Sequence, residues 1–254
     1  MYWAFHDSWV LIGRSMKHIF KNIDQLLSLA VQPIMFMLLF RYVFGGAINT
    51  GGTSYVNFLV PGILIQSAAF GALTTSVSVA NDLQRGIIDR FKSLPMVSSA
   101  VMTGHVVADL VRNIISSAVM VLVALLVGFR PEASLVQWLG VIGLLLLFTF
   151  ALSWMSAIVG LVAPSLEAVQ WIGFVAVFPL TFASAAFVPT ESMPGVLKLF
   201  AENQPVTHVI EAIRALLVGT PMENHATMSI IWFAGIVIVS IPLAAWLFRR
   251  RASK

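Results

Sequence analysis

The sequence predicts an all-α integral membrane protein with six transmembrane helices, an amphipathic helix ahead of them, and one long loop on each side of the membrane. Two observations carry this. Of 254 residues, 59% are hydrophobic and only 10% charged, whereas a soluble domain is about 45–50% apolar and about a quarter charged. The apolar residues also fall into long runs, each near the ~20 residues that cross a bilayer core as a helix. A mean hydropathy of +0.92 excludes a soluble enzyme and a soluble nucleic-acid binder, despite the net charge of +4. The basic excess serves instead to orient the chain and to meet anionic headgroups. With no cysteine, disulfides, Cys-ligated metals and thiol catalysis are excluded.

In chain order, residues 1–23 place Tyr2, Phe5, Trp9, Ile12, Met16, Ile19 and Ile23 on one helical stripe, with Arg14, Lys17, His18 and Lys21 off it. That pattern predicts a helix lying in the membrane interface. No compact apolar core or cleavage site is visible there, so no leader is expected to be removed. Six spans follow, at about 26–44, 56–80, 106–129, 135–163, 169–188 and 228–248. Pro33, Pro61 and Pro179 fall inside spans. A proline kinks a helix and frees a carbonyl that a neighbouring helix must satisfy, so a packed bundle is expected.

Lys and Arg in the flanks set the orientation. With the N-terminus inside, the inner side holds Arg14, Lys17, Lys21, Arg85, Arg90, Lys92, Arg249, Arg250, Arg251 and Lys254. The outer side holds Arg41, Arg130, Lys198 and Arg214, ten against four. Both termini are expected inside. No internal repeat is visible, which counts against an inverted-repeat transporter plan.

The connections are short except at 81–105 inside and 189–227 outside. In the inner one, Leu83, Ile87, Phe91 and Leu94 fall on one helical stripe and Asp82, Arg85, Asp89 and Lys92 on another, with Pro95 ending the pattern. This predicts a short exposed helix, either a docking knob for a soluble partner or a solvated loop helix. In the outer one, Pro194 and Pro205 suit first-turn positions and Gly219 a helix C-terminus. A helix of ~14 residues reaches only ~21 Å, short of the ~30 Å core. Re-entrant or interfacial helices are therefore expected, tucked against the outer ends of the fifth and sixth spans or forming a surface cap.

Charges inside the spans are few: Arg41, Asp109 and Arg112. A path for a strongly ionic cargo would show more cation. The spans offer instead aromatics and hydroxyls or amides, among them Gln66, Phe70, Thr74, Ser153, Trp154, Phe174, Phe178, Thr181 and Phe182. These suit an amphiphilic drug or lipid-like molecule, although each could equally serve only to pack helices. Asp109 and Arg112, three apart, are expected to pair on one helix face.

The stretches DLQRGIIDRFKSLPM (Asp82–Met96), PLTFASAAFVPTESMP (Pro179–Pro194) and ENQPVTHVIEAIRAL (Glu202–Leu216) resemble the permease subunits of type-2 ABC exporters, closest to the daunorubicin-resistance type. The resemblance covers nearly the whole chain. It implies a single transmembrane domain over 1–254, paired with a second permease, identical or related, and with two copies of a cytoplasmic ABC ATPase that bind ATP and Mg. The chain itself would hold no cofactor, no metal and no catalytic residue. A coupling helix would then lie in the inner loop, with Asp82, Leu83, Arg85, Gly86, Ile87, Asp89, Arg90, Phe91, Lys92, Leu94 and Pro95 meeting the ATPase. The outer segment would be re-entrant near the exit, with Met193, Pro194, Pro205, His208, Glu211 and Arg214 at an outer gate. The location implied is the bacterial cytoplasmic membrane. No G-x-x-x-x-G-K-[ST] loop occurs in the sequence, so the energy of such a machine would come from another subunit. The alternative is a proton- or ion-coupled secondary transporter, which calls for more ionisable groups near mid-membrane. An intramembrane protease is disfavoured, since Gly52-Thr53-Ser54 lies in an outer loop with no elbow context.

Overall fold

The structure, a computed structural model, describes residues 23–48, 50, 53–86 and 98–252. Residues 1–22 of the interfacial helix expected over 1–23, and Ile87, Asp89, Arg90, Phe91, Lys92, Leu94 and Pro95 of the inner loop, lie outside the described residues. Every regular element among the described residues is helical. They are α1 (Ile23–Leu39), continued by a π-helical turn over Phe40–Phe44, α2 (Tyr55–Gln84), α3 (Ser98–Val127), α4 (Leu135–Val162), α5 (Leu166–Phe182), a 3-10 turn at Thr190–Ser192, α6 (Gly195–Asn203), α7 (Pro205–Val218) and α8 (His225–Ala252).

Four of these, α2, α3, α4 and α8, are long and apolar enough to cross a membrane; Ala30–Phe44 and Leu166–Phe182 are shorter apolar helices. The chain is thus an all-α, multi-pass membrane protein. Helix α2 is its axis. Its most apolar stretch is 78% buried, against 33%, 28% and 17% for those of α4, α3 and α8, and it packs on α1, α3, α4, α5 and α7. A helix apolar on all faces is one surrounded by other helices. Small residues let its neighbours close in: a Cβ on Gly62 would collide with the Ala186 backbone.

Several boundaries differ from the sequence reading. Helix α2 runs four residues past the expected span end and takes in Asn81–Gln84; Gly86 then adopts φ +64°, a conformation that costs glycine little. Asp82 and Leu83, which open the two stripes read across Asp82–Leu94, thus belong to the last turn of α2, which ends at Gln84. Helix α3 begins at Ser98 rather than at 106. The fifth span, expected over 169–188, is helical only from Leu166 to Phe182. Side chains of the outer segment intercept the rest: Gln204 donates to the Ala183 carbonyl, Thr207 accepts from the Ala185 amide at 3.2 Å and Arg214 donates to the Ala185 carbonyl at 2.6 Å. Non-helical backbone next to a bilayer persists only where protein satisfies it in this way.

The outer segment forms the expected short helices. Pro194 precedes α6 as its N-cap, Pro205 opens α7, and Gly219 closes it at φ +78°. Helix α7 packs on α8 as expected, but otherwise on α2, α4 and α6, and it meets residues 183–185 beyond the end of α5. Inside the bundle, Pro33, Pro61 and Pro179 lie within helices, as does Pro242 in α8.

Candidate functional site

The expected path residues separate into three groups. Phe174, Phe178 and Phe182 recur every fourth residue of α5 and so form one stripe. Their ring centroids are 5.1 and 4.2 Å apart. Phe70 of α2 joins at Phe174, 6.4 Å away. Trp171 extends the row at one end, and at the other it continues through Phe187 to Phe40 and Phe44, with spacings between 4.4 and 6.4 Å. Trp171, Phe174 and Phe178 remain 68%, 45% and 39% exposed. Trp171, Phe174 and Phe178 thus leave part of their rings uncovered along one side of α5. The sequence reading missed Phe40, Phe44 and Phe187; the four-residue spacing of Phe36, Phe40 and Phe44 was the available signal for the first two.

Thr74 and Ser153 belong instead to a buried polar knot around Asp109. The Asp109 carboxylate lies 3.6 Å from Arg112, accepts from Ser153 of α4, and accepts from Asn113 at 3.2 Å and from Thr74 of α2 at 3.4 Å. Arg112 also donates to the Thr74 hydroxyl. The pairing expected on one face of α3 is thus present, and the same two residues tie α2, α3 and α4 together. Gln66, Trp154 and Thr181 are buried between helices, and Thr181 donates to the Val177 carbonyl at 2.9 Å. These three line no open surface.

On α7, Arg214 is 3% exposed yet fully engaged. Its guanidinium pairs with Glu211, donates to the carbonyls of Phe58 (3.0 and 3.2 Å) and Ala185, and stacks 3.8 Å over the Phe58 ring. The planar fork suits arginine to such a multi-partner burial. His208 faces His225 of α8, Nδ1 to Nδ1 at 3.0 Å, one ring donating to the other. Glu223 lies 3.7 Å from the far nitrogen of His225. Burial, and then the facing His225, holds the His208 imidazole below its ordinary titration range. Pro205 and Pro194 act at helix starts, and Met193 ends the 3-10 turn; neither Met193 nor Pro194 joins the Arg214 or His208 clusters.

At the opposite end of α2, Asp82 pairs with His105 at 2.9 Å. That contact closes the base of the inner loop, joining the end of α2 to the first turns of α3. Leu83 packs against the inner core of Val79, Met102, Trp154 and Phe248, while Arg85 is exposed. A crevice of about 300 Å³ opens beside them, lined by Ala80, Leu83, Gln84, Gly160, Ala163 and Pro164.

Comparison with known proteins agrees with this architecture. The profile of the "ABC-2 type transporter" family matches residues 6–218. The chain is 32% identical over 227 residues to the "Daunorubicin resistance ABC transporter permease protein DrrB1" of Streptomyces coeruleorubidus, covering 89% of this chain and 80% of that protein. It is 28% identical over 225 residues to the "Probable doxorubicin resistance ABC transporter permease protein DrrC" of Mycobacterium tuberculosis, covering 88% and 80%. It is 23% identical over 252 residues to "Nodulation protein J" of Rhizobium leguminosarum bv. trifolii, covering 96% and 94%. A multi-pass helical bundle matched by this family over most of its length is a membrane permease, and the chain belongs to the ABC-2 type transporter family.

Proposed function

We propose that this permease works as one half of an ATP-driven exporter that moves an amphiphilic drug, antibiotic or lipid-like molecule out across the bacterial cytoplasmic membrane. Two such permeases, identical or related, pair with two copies of an ABC ATPase, which bind ATP and Mg. The observation that carries the cargo class is the aromatic row on α5. Partly exposed aromatic rings 4.2–5.1 Å apart offer a flat apolar molecule one contact after the next, and among the described residues no row of buried cations competes for a strongly ionic one. Family membership and the names of the relatives point the same way.

In this reading the six helices α1 to α5 and α8 all span, both termini are cytoplasmic, and residues 81–105 form the coupling loop. Arg85 and Gly86 lead into Ile87–Pro95, which meets the ATPase. The Asp82–His105 pair fixes the two ends of that loop on α2 and α3, so a push on the loop moves both helices together. Asp109 and its partners pass the movement to α4, and α2 carries it outward to Phe58 and so to Arg214 on α7. Switching is then a rigid-body exchange between two packed arrangements, biased by nucleotide bound elsewhere. Helices α6 and α7 form the outer gate, with Met193, Pro194, Pro205, His208, Glu211 and Arg214 at its hinges and contacts.

The test is co-reconstitution of the permease with its ATPase in vesicles loaded with a fluorescent amphiphile. Transport should require ATP, and Phe178→Ala with Phe182→Ala should reduce it about tenfold, the loss of roughly 1.4 kcal/mol of stacking. Uphill movement by the purified chain alone, driven by a proton gradient, would favour the secondary-transport alternative and overturn this reading.

A further inference from the structure

A groove of about 390 Å³ runs between α3 and α4 with Leu64 of α2 as its floor. Ile114, Val121 and Leu122 form one wall, and Trp138 and Leu145 lie on the other. Its lips are exposed: Leu122 63%, Ile114 43% and Ile142 44%. A void against such walls forfeits dispersion contacts, so in a bilayer it fills with whatever apolar chain is at hand. Three features say what fills it. From Ile114 to Leu122 is eight residue steps, ~12 Å along a helix, close to the ~15 Å depth of one leaflet's hydrocarbon. Trp138 stands in the first turn of α4, where an indole marks the headgroup boundary. The exposed Arg130, just past the end of α3, donates to the carbonyls of Phe129 and of Leu125, one helical turn beyond Val121 of the groove wall, both at 3.0 Å. No carboxylate forms an ion pair with Arg130 among the described residues, although Glu132 stands two residues on.

We infer that this groove is a binding site for one acyl chain of an anionic phospholipid, whose headgroup phosphate is held by Arg130. A single cation at the rim of an apolar slot one leaflet long discriminates between headgroups while the slot takes the tail. The site lies apart from the aromatic row of α5, so the lipid is a resident rather than the cargo. The membrane orientation proposed above decides only which leaflet supplies it, which is the outer one.

Brominated-chain lipids quench nearby tryptophans and provide the test. The full chain is reconstituted in phosphatidylcholine vesicles, and brominated phosphatidylglycerol or brominated phosphatidylcholine is added. The chain has seven tryptophans, so the Trp138 component is taken as the difference from Trp138→Phe. That component should be quenched at about fivefold lower phosphatidylglycerol than phosphatidylcholine, the factor expected for one near-surface cation. Arg130→Gln should bring the ratio near one, and Ala118→Phe, which narrows the slot, should weaken quenching by both lipids. Equal quenching by the two lipids in the unmodified chain would overturn the proposal. So would disulfide-linked dimers of Leu122→Cys, a unique thiol in a cysteine-free chain, since a second copy would then occupy the groove. Labelling of Glu132→Cys by an impermeant maleimide reads the orientation separately: labelling only from the cytoplasmic side would refute the proposed topology while leaving the quenching result standing.

Discussion

Arg214 shows most directly how one residue's chemistry holds the outer face together. Removing its side chain takes the arginine donor from the buried Phe58 and Ala185 carbonyls and the counter-charge from the part-exposed Glu211 carboxylate. Leaving a buried acceptor without its partner typically costs about 1–3 kcal/mol. Arg214→Ala should therefore lower the melting temperature sharply or abolish membrane accumulation. Arg214→Lys should recover only part of the loss, because an ammonium cannot reach several carbonyls in one plane. Unchanged melting of Arg214→Ala in detergent would refute the clasp. His208 makes a second prediction at this scale. Unfolded, it takes its proton near pH 6.5; folded, burial and His225 push that point lower. Between the two the unfolded chain binds more protons, so stability rises with pH across that window. It should be level above about pH 6.5 and fall as the pH drops below it. The other groups near this pair are Glu223, which faces His225, and Glu211, which is committed to Arg214; α4 carries no ionisable side chain, and Lys198 and Glu202 of α6 pair with each other at 3.7 Å. His208→Gln should flatten the profile measured by thermal melts from pH 7.5 to 5.5.

Among the elements, α2 is the one whose neighbours leave no slack. Gly62→Val would drive a branched side chain into the Ala186 backbone, and forced overpacking costs about 1–3 kcal/mol. The expected result is a chain that still inserts but melts lower, with the residues 183–187 turn more open to protease; a melt equal to that of the parent would show that the turn can shift. The polar knot gives a complementary expectation. Ser153→Ala removes one hydrogen bond to Asp109 and should cost about 1 kcal/mol, while Asp109→Ala strands Arg112 and should cost several times more. A double-mutant cycle between positions 109 and 153 should show non-additivity, because the two touch across α3 and α4. Strict additivity would mean the knot does not couple those helices.

For the whole molecule, the prediction concerns force transfer from the inner loop. Arg85→Glu and Ile87→Asp should weaken retention of the ATPase subunit in a pull-down without reducing insertion. Asp82→Lys acts differently, since Asp82 is occupied by His105: it should loosen the loop base and lower transport per ATP hydrolysed more than it lowers co-purification. Equal co-purification for all three variants would count against the coupling assignment.

Much of this was legible before any coordinates. Among the described residues, long apolar runs located the long helices, because a helix facing lipid must be apolar over its whole length and the chain has little freedom in how to satisfy its backbone there. The starts at Pro194 and Pro205 and the stop at Gly219 were readable for a local reason, since φ is restricted in proline and free in glycine. The motifs of the inner and outer loops also identified the family. The end of α5 at Phe182 was not readable, nor was the extension of α2 through Gln84. Sequence shows which residues are apolar but not which distant donor captures a carbonyl, and Ala183 and Ala185 leave the helix because Gln204, Thr207 and Arg214 reach them from twenty to thirty residues away. Likewise the hydroxyls that looked like a lining proved to be divided by contact, Thr74 and Ser153 to Asp109 and Thr181 to its own helix. What the sequence determined alone was which segments are long and apolar enough to enter a bilayer, a matter of transfer free energy summed along the chain. What only the tertiary structure decided was which polar groups are spent holding helices together and which aromatic faces stay open, since that depends on partners brought close in space and not in sequence.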